Sequence, residues 1–397
     1  MKVVILLGDG MSDIAYSELG NKSPLQYAAT PNMDFMSQHG QVGLAHTVPN
    51  GLPPGSDVAN LSVFGYDPRT CYTGRSPLEA ISMGVVLGPD DVAFRMNLVT
   101  LKPQGSSIYM QDFSAGHIST NEARELVETL QKEIGSTEIE FHSGVGYRHL
   151  MVWRGGKDGM RSTPPHDITG KAILDSLPNG DGADVINNIM NHAQMVLHSH
   201  PINVRRKDQG DLPANSIWLW GHGKTPRIES YQEKYGLTGA VISAVDLIKG
   251  IGICAGLDIV NVEGATGYID TNYLGKGQAA LAALENHDFV YVHVEAPDEA
   301  SHSGNMQHKL QAIEDFDRHV VGTVLEGIQK FDDYVVLCMP DHPTPVKLMT
   351  HTSDPVPFVI YRSGPDGANG AVSYDEFQAK STGLVVEGHA LLPILLS

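Results

Sequence analysis

No two of the three cysteines, Cys71, Cys254 and Cys338, form a C-x-x-C pair, and their number is odd. This excludes a disulfide framework and a cysteine zinc ribbon, and it fits a reducing, cytoplasmic compartment. Long apolar runs are missing as well. Nothing approaches the ~20 residues of a membrane-spanning helix, and the opening MKVVILLGDG passes from a short apolar run straight into a glycine turn, unlike a secretory leader. Positive charge is scarce, with 27 Lys and Arg against 46 Asp and Glu and a formal net charge of −19. The averaged field repels nucleic acid and anionic lipid, so neither is an expected partner. A small phosphorylated substrate is compatible with that field only where bound cations or a few local Arg and Lys reverse its sign. There is no P-loop, GHGK (221–224) being too short. The stretch GDGMSD (8–13) supplies only two glycines of a dinucleotide fingerprint and puts Asp where the pyrophosphate helix should start. Repeats of fixed period and low-complexity tracts are absent too.

What is present is a chain of 397 residues, enough for a large domain with an insertion or for two domains. VVILLG (3–8), SIWLWG (216–221), FVYVHVEA (289–296) and YVVLCM (334–339) are continuous apolar runs, the texture of parallel strands buried on both faces. Helical periodicity separates them at 243–256, 275–287 and 305–331. The alternation predicts an α/β core, a mostly parallel sheet sandwiched by helices. Between about 90 and 214 the texture changes. Hairpin-like strands at 91–101, 106–113 and 147–155 stand beside helices at 121–135 and 184–197, which predicts an inserted α+β domain. The expected division is a core of 1–89 and 215–397 and an insertion of 90–214, with hinges in GPDD (88–91) and KDQGDLPAN (207–215).

Each of three predicted core strands ends in an acidic or histidine-bearing turn: Asp9 after the first, Asp298 and His302 after the third, Asp341 and His342 after the fourth, with His351 nearby. Ligands of open α/β sheets gather at the carboxyl ends of strands, so these groups are expected to meet in one crevice. Three aspartates packed together repel one another unless cations lie between them, and three neutral imidazoles offer lone pairs to the same cations. The set suffices for two divalent metals; mixed Asp and His ligation suits Zn²⁺ or Mn²⁺. DEASH (298–302) spaces two ligands at i and i+4, one helical turn apart. GLPPGSDVANLSVFGYDP (51–68) places Ser56 at the mouth of a helix, where free N–H groups and the positive dipole end receive a phosphoryl group. A plain N-cap explains such a serine equally well when taken alone. Beside metals, its hydroxyl becomes a candidate nucleophile.

GDGMSD, GLPPGSDVANLSVFGYDP, YTGRSPLEA (72–80), DFSAGHIS (112–119), DEASH, PDHPTP (340–345) and His351 together resemble the archaeal-type cofactor-independent phosphoglycerate mutases of the alkaline phosphatase superfamily. The resemblance runs along essentially the whole chain. It implies an alkaline-phosphatase-like core with an inserted lid, one metal on Asp298, His302 and His351, and a second on Asp9, Ser56, Asp341 and His342. The ions would be Mn or Zn, with Mg or Co as further options. It also implies that Ser56 accepts the phosphoryl group, that 3-phosphoglycerate and 2-phosphoglycerate are interconverted without 2,3-bisphosphoglycerate, and that the partner is a small phosphorylated three-carbon acid. SAGHI, GVGYRHL (144–150) and TPPHDITG (163–170) match substrate-binding stretches, which makes His117, Arg148 and His166 candidates together with Arg75 of the core. Lys224 and the Arg205–Arg206 pair either face the phosphate or are solvated.

Three other readings stay open at this point. One is a sibling phosphotransferase, since the family includes a branch proposed to act as homoserine kinase. Another is a metal-dependent phosphomonoesterase, which would share every ligand and differ in admitting water. The third is a non-catalytic metal- or dinucleotide-binding module.

Overall fold

The computed structural model describes residues 1–364 and 367–397. Two compact units divide between Tyr72 and Thr73 and again between Pro226 and Arg227, rather than at the expected 89/90 and 214/215.

In the unit formed by residues 1–72 and 227–397, VVILLG becomes the strand Lys2–Gly8, buried from its second residue onward. It lies between Phe289–Val294 and Tyr334–Met339 and is parallel to both, with Val3 opposite Phe289 on one side and Val335 on the other. Gly239–Ile242 and then Asp258–Ile259 extend the sheet in parallel beyond Phe289–Val294. Beyond Tyr334–Met339 comes Val356–Arg362, antiparallel to its neighbours, then Gln41–His46 and finally Val385–Glu387, which completes eight strands. The sheet is mostly parallel, as the alternation of strand and helix predicted.

Alternate residues of the central strands serve two cores. Val4, Leu6, Val290, Val292, Val336 and Cys338 pack against helices at Pro31–His39, Tyr273–Ala283 and Met306–Asp315. On the opposite face Phe64 stacks on Tyr291 with ring centroids 4.1 Å apart, and Tyr231 tilts against Phe289 at 4.7 Å. The helix expected over 305–331 passes through a π turn at Phe316–Val321. There Asp317 accepts hydrogen bonds from the N–H groups of Asn32 and Met33, satisfying donors that the start of the neighbouring helix leaves over.

The unit of residues 73–226 is built on the long strand Val92–Gln104, which pairs antiparallel with Ser107–Asp112, Arg148–Trp153 and Ser216–Gly223. Ile139–Val145 adds the fifth strand. Helices Thr120–Glu133 and Ala183–His198 bury Leu126, Leu130, Ile186 and Met190 in the same core as Trp218. SIWLWG therefore corrects the sequence reading: it is an antiparallel strand of this sheet, not a parallel strand of the core. The expected hinges are also tied down inside the unit. Asp91 accepts from Gly88 N–H and from Arg154, while Asn215 exchanges two 2.8 Å hydrogen bonds with the backbone of Leu101. Among the described residues no helix is long and apolar enough to cross a membrane.

Candidate active site

The carboxyl ends of the three central strands carry the acidic and imidazole groups. Asp9 follows Lys2–Gly8, its N–H held by Val294 O at 2.9 Å. Gly10 turns the chain at φ +62°, and its N–H donates to Asp341 Oδ1 at 3.1 Å. A Cβ at Gly10 would lie 2.5 Å from Asp298 Oδ1, so both the conformation and the close approach require glycine. Asp298 and His302 sit on the helix Ala296–His302, and the one-turn spacing brings His302 Nε2 to 3.1 Å from Asp298 Oδ2. His351 Nε2 lies 2.8 Å from His302 Nε2 and 3.6 Å from Asp298 Oδ1. His342 Nε2 stands 3.5 Å from Asp9 Oδ1 and 3.4 Å from Asp341 Oδ2. Ser56 is the first residue of the helix Ser56–Val63, capped by an extended Gly55, and its Oγ is 3.2 Å from His342 Nε2. One turn on, Asn60 donates to Asp341 Oδ2 at 2.7 Å and to Ser56 O at 2.8 Å, so the Ser56 helix is fastened to the carboxylate.

Hydrogen bonds assign the imidazole protons. Thr344 Oγ1 donates to Asp298 Oδ1 at 2.5 Å and therefore accepts at 3.1 Å from His342 Nδ1–H. His302 Nδ1–H donates to Met349 O at 3.0 Å. Both imidazoles thus spend Nδ1–H on an outer partner and turn Nε2 into the crevice, the arrangement that metal-ligating histidines adopt. Two such nitrogens 2.8 Å apart, His302 and His351, require a proton or a cation between them. Ligand atoms of Asp298, His342 and His351 lie within 4.8 Å of one another, and so do those of Asp9, Asp341 and His342. His342 is thus common to both groups, which the two ligand sets implied by resemblance do not share.

The electrostatics call for positive charge. Burial, then the charges of Asp341, Glu295 and Asp298, push the Asp9 carboxyl well above its ordinary range. Burial and Asp298 push Asp341 up to about 7. Asp298 itself is held well below the usual range, because hydrogen bonds from His302 and His351 outweigh its burial. For His302, burial opposes the imidazolium, yet the hydrogen bond and charge of Asp298 prevail and raise it to about 9. Asp9 Oδ1 and Glu295 Oε2 are buried without a hydrogen-bond partner. Desolvated carboxylates with orphaned oxygens facing imidazole lone pairs fit divalent cations.

The four substrate candidates lie in the 73–226 unit, along one aromatic strip. His117 meets Tyr147 at 6.2 Å, Tyr147 meets Phe113 at 5.6 Å, and His166 contacts Phe113 at 6.2 Å and Trp220 at 5.4 Å. The Arg75 guanidinium is 5.9 Å from the Trp220 ring, and that of Arg148 5.2 Å from the Tyr147 ring. His117, Tyr147 and Arg148 share a cavity of about 250 Å³. Arg206 is structural. It donates to Ala115 O and Leu212 O at 2.9 Å and pairs with Glu122, holding the turn that carries His117. Arg205 joins it on Glu122, and Lys224 lies 3.8 Å from Asp90.

Sequence reasoning passed over several residues. Asn60, Thr344, His293 and Glu295 adjoin the ligands, and the buried Arg95 pairs with Glu79, which also holds Arg75 at 3.0 Å. Polar residues inside otherwise apolar strands, His293 in FVYVHV and Arg95 in VAFRMNLV, were the available signal.

Comparison with known proteins gives a consistent picture. The family described as 2,3-bisphosphoglycerate-independent phosphoglycerate mutase matches residues 37–203. A probable 2,3-bisphosphoglycerate-independent phosphoglycerate mutase of Geobacter sulfurreducens is 63% identical over 397 residues, covering 100% of both chains. The 2,3-bisphosphoglycerate-independent phosphoglycerate mutase of Methanosarcina barkeri is 50% identical over 402 residues, covering 100% of this chain and 99% of its own. Among solved structures, the PH0037 protein of Pyrococcus horikoshii superposes with a TM-score of 0.84 at 31% identity, covering 100% of this chain and 96% of that one. A cofactor-independent phosphoglycerate mutase of Thermoplasma acidophilum gives 0.65 at 30% identity, with 100% and 99% covered.

Proposed function

The chain belongs to the 2,3-bisphosphoglycerate-independent phosphoglycerate mutase family, and from that premise we propose that it interconverts 3-phosphoglycerate and 2-phosphoglycerate by holding the phosphoryl group on Ser56. The observation that carries this reading is the Ser56 hydroxyl, at a helix N-terminus and 3.2 Å from His342 Nε2 within a desolvated cluster of ligand-type side chains. Asp298, His302 and His351 would hold one divalent ion, and Asp9, Ser56, Asp341 and His342 the other, with Mn or Zn the best match to mixed oxygen and nitrogen donors and Mg or Co as further options. When bound, the ions supply charge neutralisation of the phosphoryl oxygens and a lowered pKa for the serine hydroxyl.

Ser56 Oγ gives up its proton and attacks phosphorus; the Oγ–P bond forms, the bond to the substrate's O3 breaks, and O3 takes up a proton, so glycerate leaves as the free alcohol. The N–H groups of Ser56 and Asp57, for which the helix supplies no acceptor, would hold the transferred group, while that of Val58 is taken by Asp57 Oδ1. Asn60 keeps Ser56 and Asp341 in register throughout. Glycerate then turns and its 2-hydroxyl takes the phosphoryl group back, releasing Ser56. Arg75, Arg148, His117 and His166 would bind the carboxylate and hydroxyls, and the 73–226 unit would act as the lid that keeps water away while glycerate turns.

The test is enolase-coupled conversion of 3-phosphoglycerate without added 2,3-bisphosphoglycerate. We expect activity that EDTA abolishes and Mn²⁺ restores, and a phosphoserine at Ser56 trapped on rapid acid quench. Ser56→Ala should leave less than about a tenth of the rate, a loss of more than ~1.4 kcal/mol of transition-state stabilisation; higher residual turnover would remove Ser56 as nucleophile. Phosphate release at a comparable rate would point instead to a phosphomonoesterase, and ATP consumption dependent on homoserine to the kinase branch.

A further inference from the structure

His342, His302 and His293 all turn Nε2 towards the crevice, but that nitrogen is not in the same protonation state in each. His342 and His302 spend Nδ1–H on Thr344 and Met349, which leaves Nε2 as the ligating atom. His293, in the strand Phe289–Val294 and fully buried, is wired the other way. Ser243 follows the adjacent strand Gly239–Ile242, and its Oγ accepts the Val245 N–H at 3.0 Å. Ser243 Oγ lies 3.1 Å from His293 Nδ1 and can donate to it, while the carboxylate oxygen facing Nε2, Asp9 Oδ2, only accepts, so the imidazole's own proton is on Nε2. That proton meets Asp9 Oδ2 at 2.9 Å, with Glu295 Oε2 further off at 3.5 Å.

We infer that His293 is the positioning residue for Asp9: by donating to Oδ2 it fixes the carboxylate so that Oδ1 alone is presented to the metal shared with His342 and Asp341. Asp9 Oδ1 is the oxygen that is buried without a hydrogen-bond partner, and it is the one 3.5 Å from His342 Nε2. The competing reading is a third cation, since ligand atoms of Asp9, His293 and Glu295 also lie within 4.8 Å of one another. Such an ion needs a lone pair on His293 Nε2, where the proton shared with Asp9 Oδ2 sits instead. Positive charge is supplied there already by Lys276. Its fully buried Nζ donates to His293 O at 3.0 Å, and its charge interacts with that of Glu295. A carboxylate held from behind by an N–H donor keeps one oxygen basic and one orientation populated, which is how outer-shell partners strengthen a metal site.

The inference rests on the two-metal reading and is tested by metal binding rather than turnover. Metal-free full-length protein is titrated with Mn²⁺ by calorimetry, and ions per chain are counted by mass spectrometry. Wild type should take up two ions. His293→Leu should weaken one site ~10–100-fold and leave the other unchanged, and His293→Gln, which keeps an N–H near the Nε2 position, should recover most of that loss. Ser243→Ala, which frees the ring to carry its proton on Nδ1, should weaken the same site by a smaller factor, so the question is answered even if the leucine variant does not fold. Two sites of wild-type affinity in His293→Leu or, where that variant does not fold, in Ser243→Ala would overturn the inference. So would a wild type that binds three ions and loses only the third in His293→Leu. Fewer than two ions on wild type would overturn the two-metal reading itself, and with it this one.

Discussion

Thr344 shows how much one side chain decides in this crevice. Its single hydroxyl donates to Asp298 and accepts from His342, so it orients a carboxylate and fixes a tautomer at once. Thr344→Val keeps the shape and removes both bonds. We expect Mn²⁺ affinity to fall ~10–100-fold. Stability should fall by about 1–3 kcal/mol, because His342 Nδ1–H and Asp298 Oδ1 are left buried and unpaired. Thr344→Ser should restore the affinity while losing only the packing of one methyl group. Calorimetric titration and urea unfolding of the three proteins check this. Equal affinities would mean that the ligands orient themselves without the hydroxyl.

Among the elements, the turn between the first strand and the crevice has little freedom. Gly10→Ala places a methyl carbon 2.5 Å from Asp298 Oδ1 and 2.7 Å from Thr344 Oγ1, at a φ of +62°. The left-handed backbone costs roughly 1–2 kcal/mol, but the displacement of Asp298 matters more, since a shift near 1 Å in an active site is worth ~10²-fold in rate. We expect kcat/KM to fall by about that factor while the fold survives, as checked by circular dichroism and the enolase-coupled assay. The same turn explains what was legible beforehand. Asp9, Asp341, His342 and the Asp298–His302 pair could be read because each directly follows an apolar run, and strand ends are where α/β sheets gather ligands. SIWLWG was misassigned because a continuous apolar run reports burial on both faces and says nothing about strand direction. Trp218 and Leu219 are as buried in the antiparallel sheet as Val290 is in the parallel one. The strands Gln41–His46 and Val356–Arg362 were missed because glycine and proline interrupt their patterns. His293 and Ser243 were invisible as a pair, since nothing in the sequence says that positions 50 residues apart lie on adjacent strands.

For the molecule as a whole, Asp9, Glu295, Asp298 and Asp341 meet where the cations are needed, and leaving the cations out should make stability depend on pH in a defined direction. In the metal-free chain Asp341 titrates near 7 and Glu295 near 8, raised by burial and by Asp298, and Asp9 lies well above its ordinary range. Unfolded, these carboxyls release their protons near 4. Between pH 6.5 and 8 the folded chain therefore holds protons that the unfolded chain has lost, and stability falls as pH rises. His302 acts in the same sense. Raised to about 9, it contributes fully below the ordinary imidazole value of 6.5 and loses that contribution as pH climbs through 9. The window is bounded below by His293 and His342, which burial keeps neutral in the fold, so their opposite slope sets in under 6.5. It is bounded above by Lys276, which burial pulls down to about 8 and which then begins to favour the fold as pH rises. We expect the melting temperature in EDTA to drop from pH 6.5 to pH 8 and the drop to disappear in saturating Mn²⁺. Each ion at a hundredfold excess over its Kd should also add about 2.7 kcal/mol. Scanning calorimetry at the two pH values, with and without metal, reads both effects. A metal-free protein whose stability rises over that window would mean that the carboxylates are not packed against one another, and the case for paired cations would fail with them.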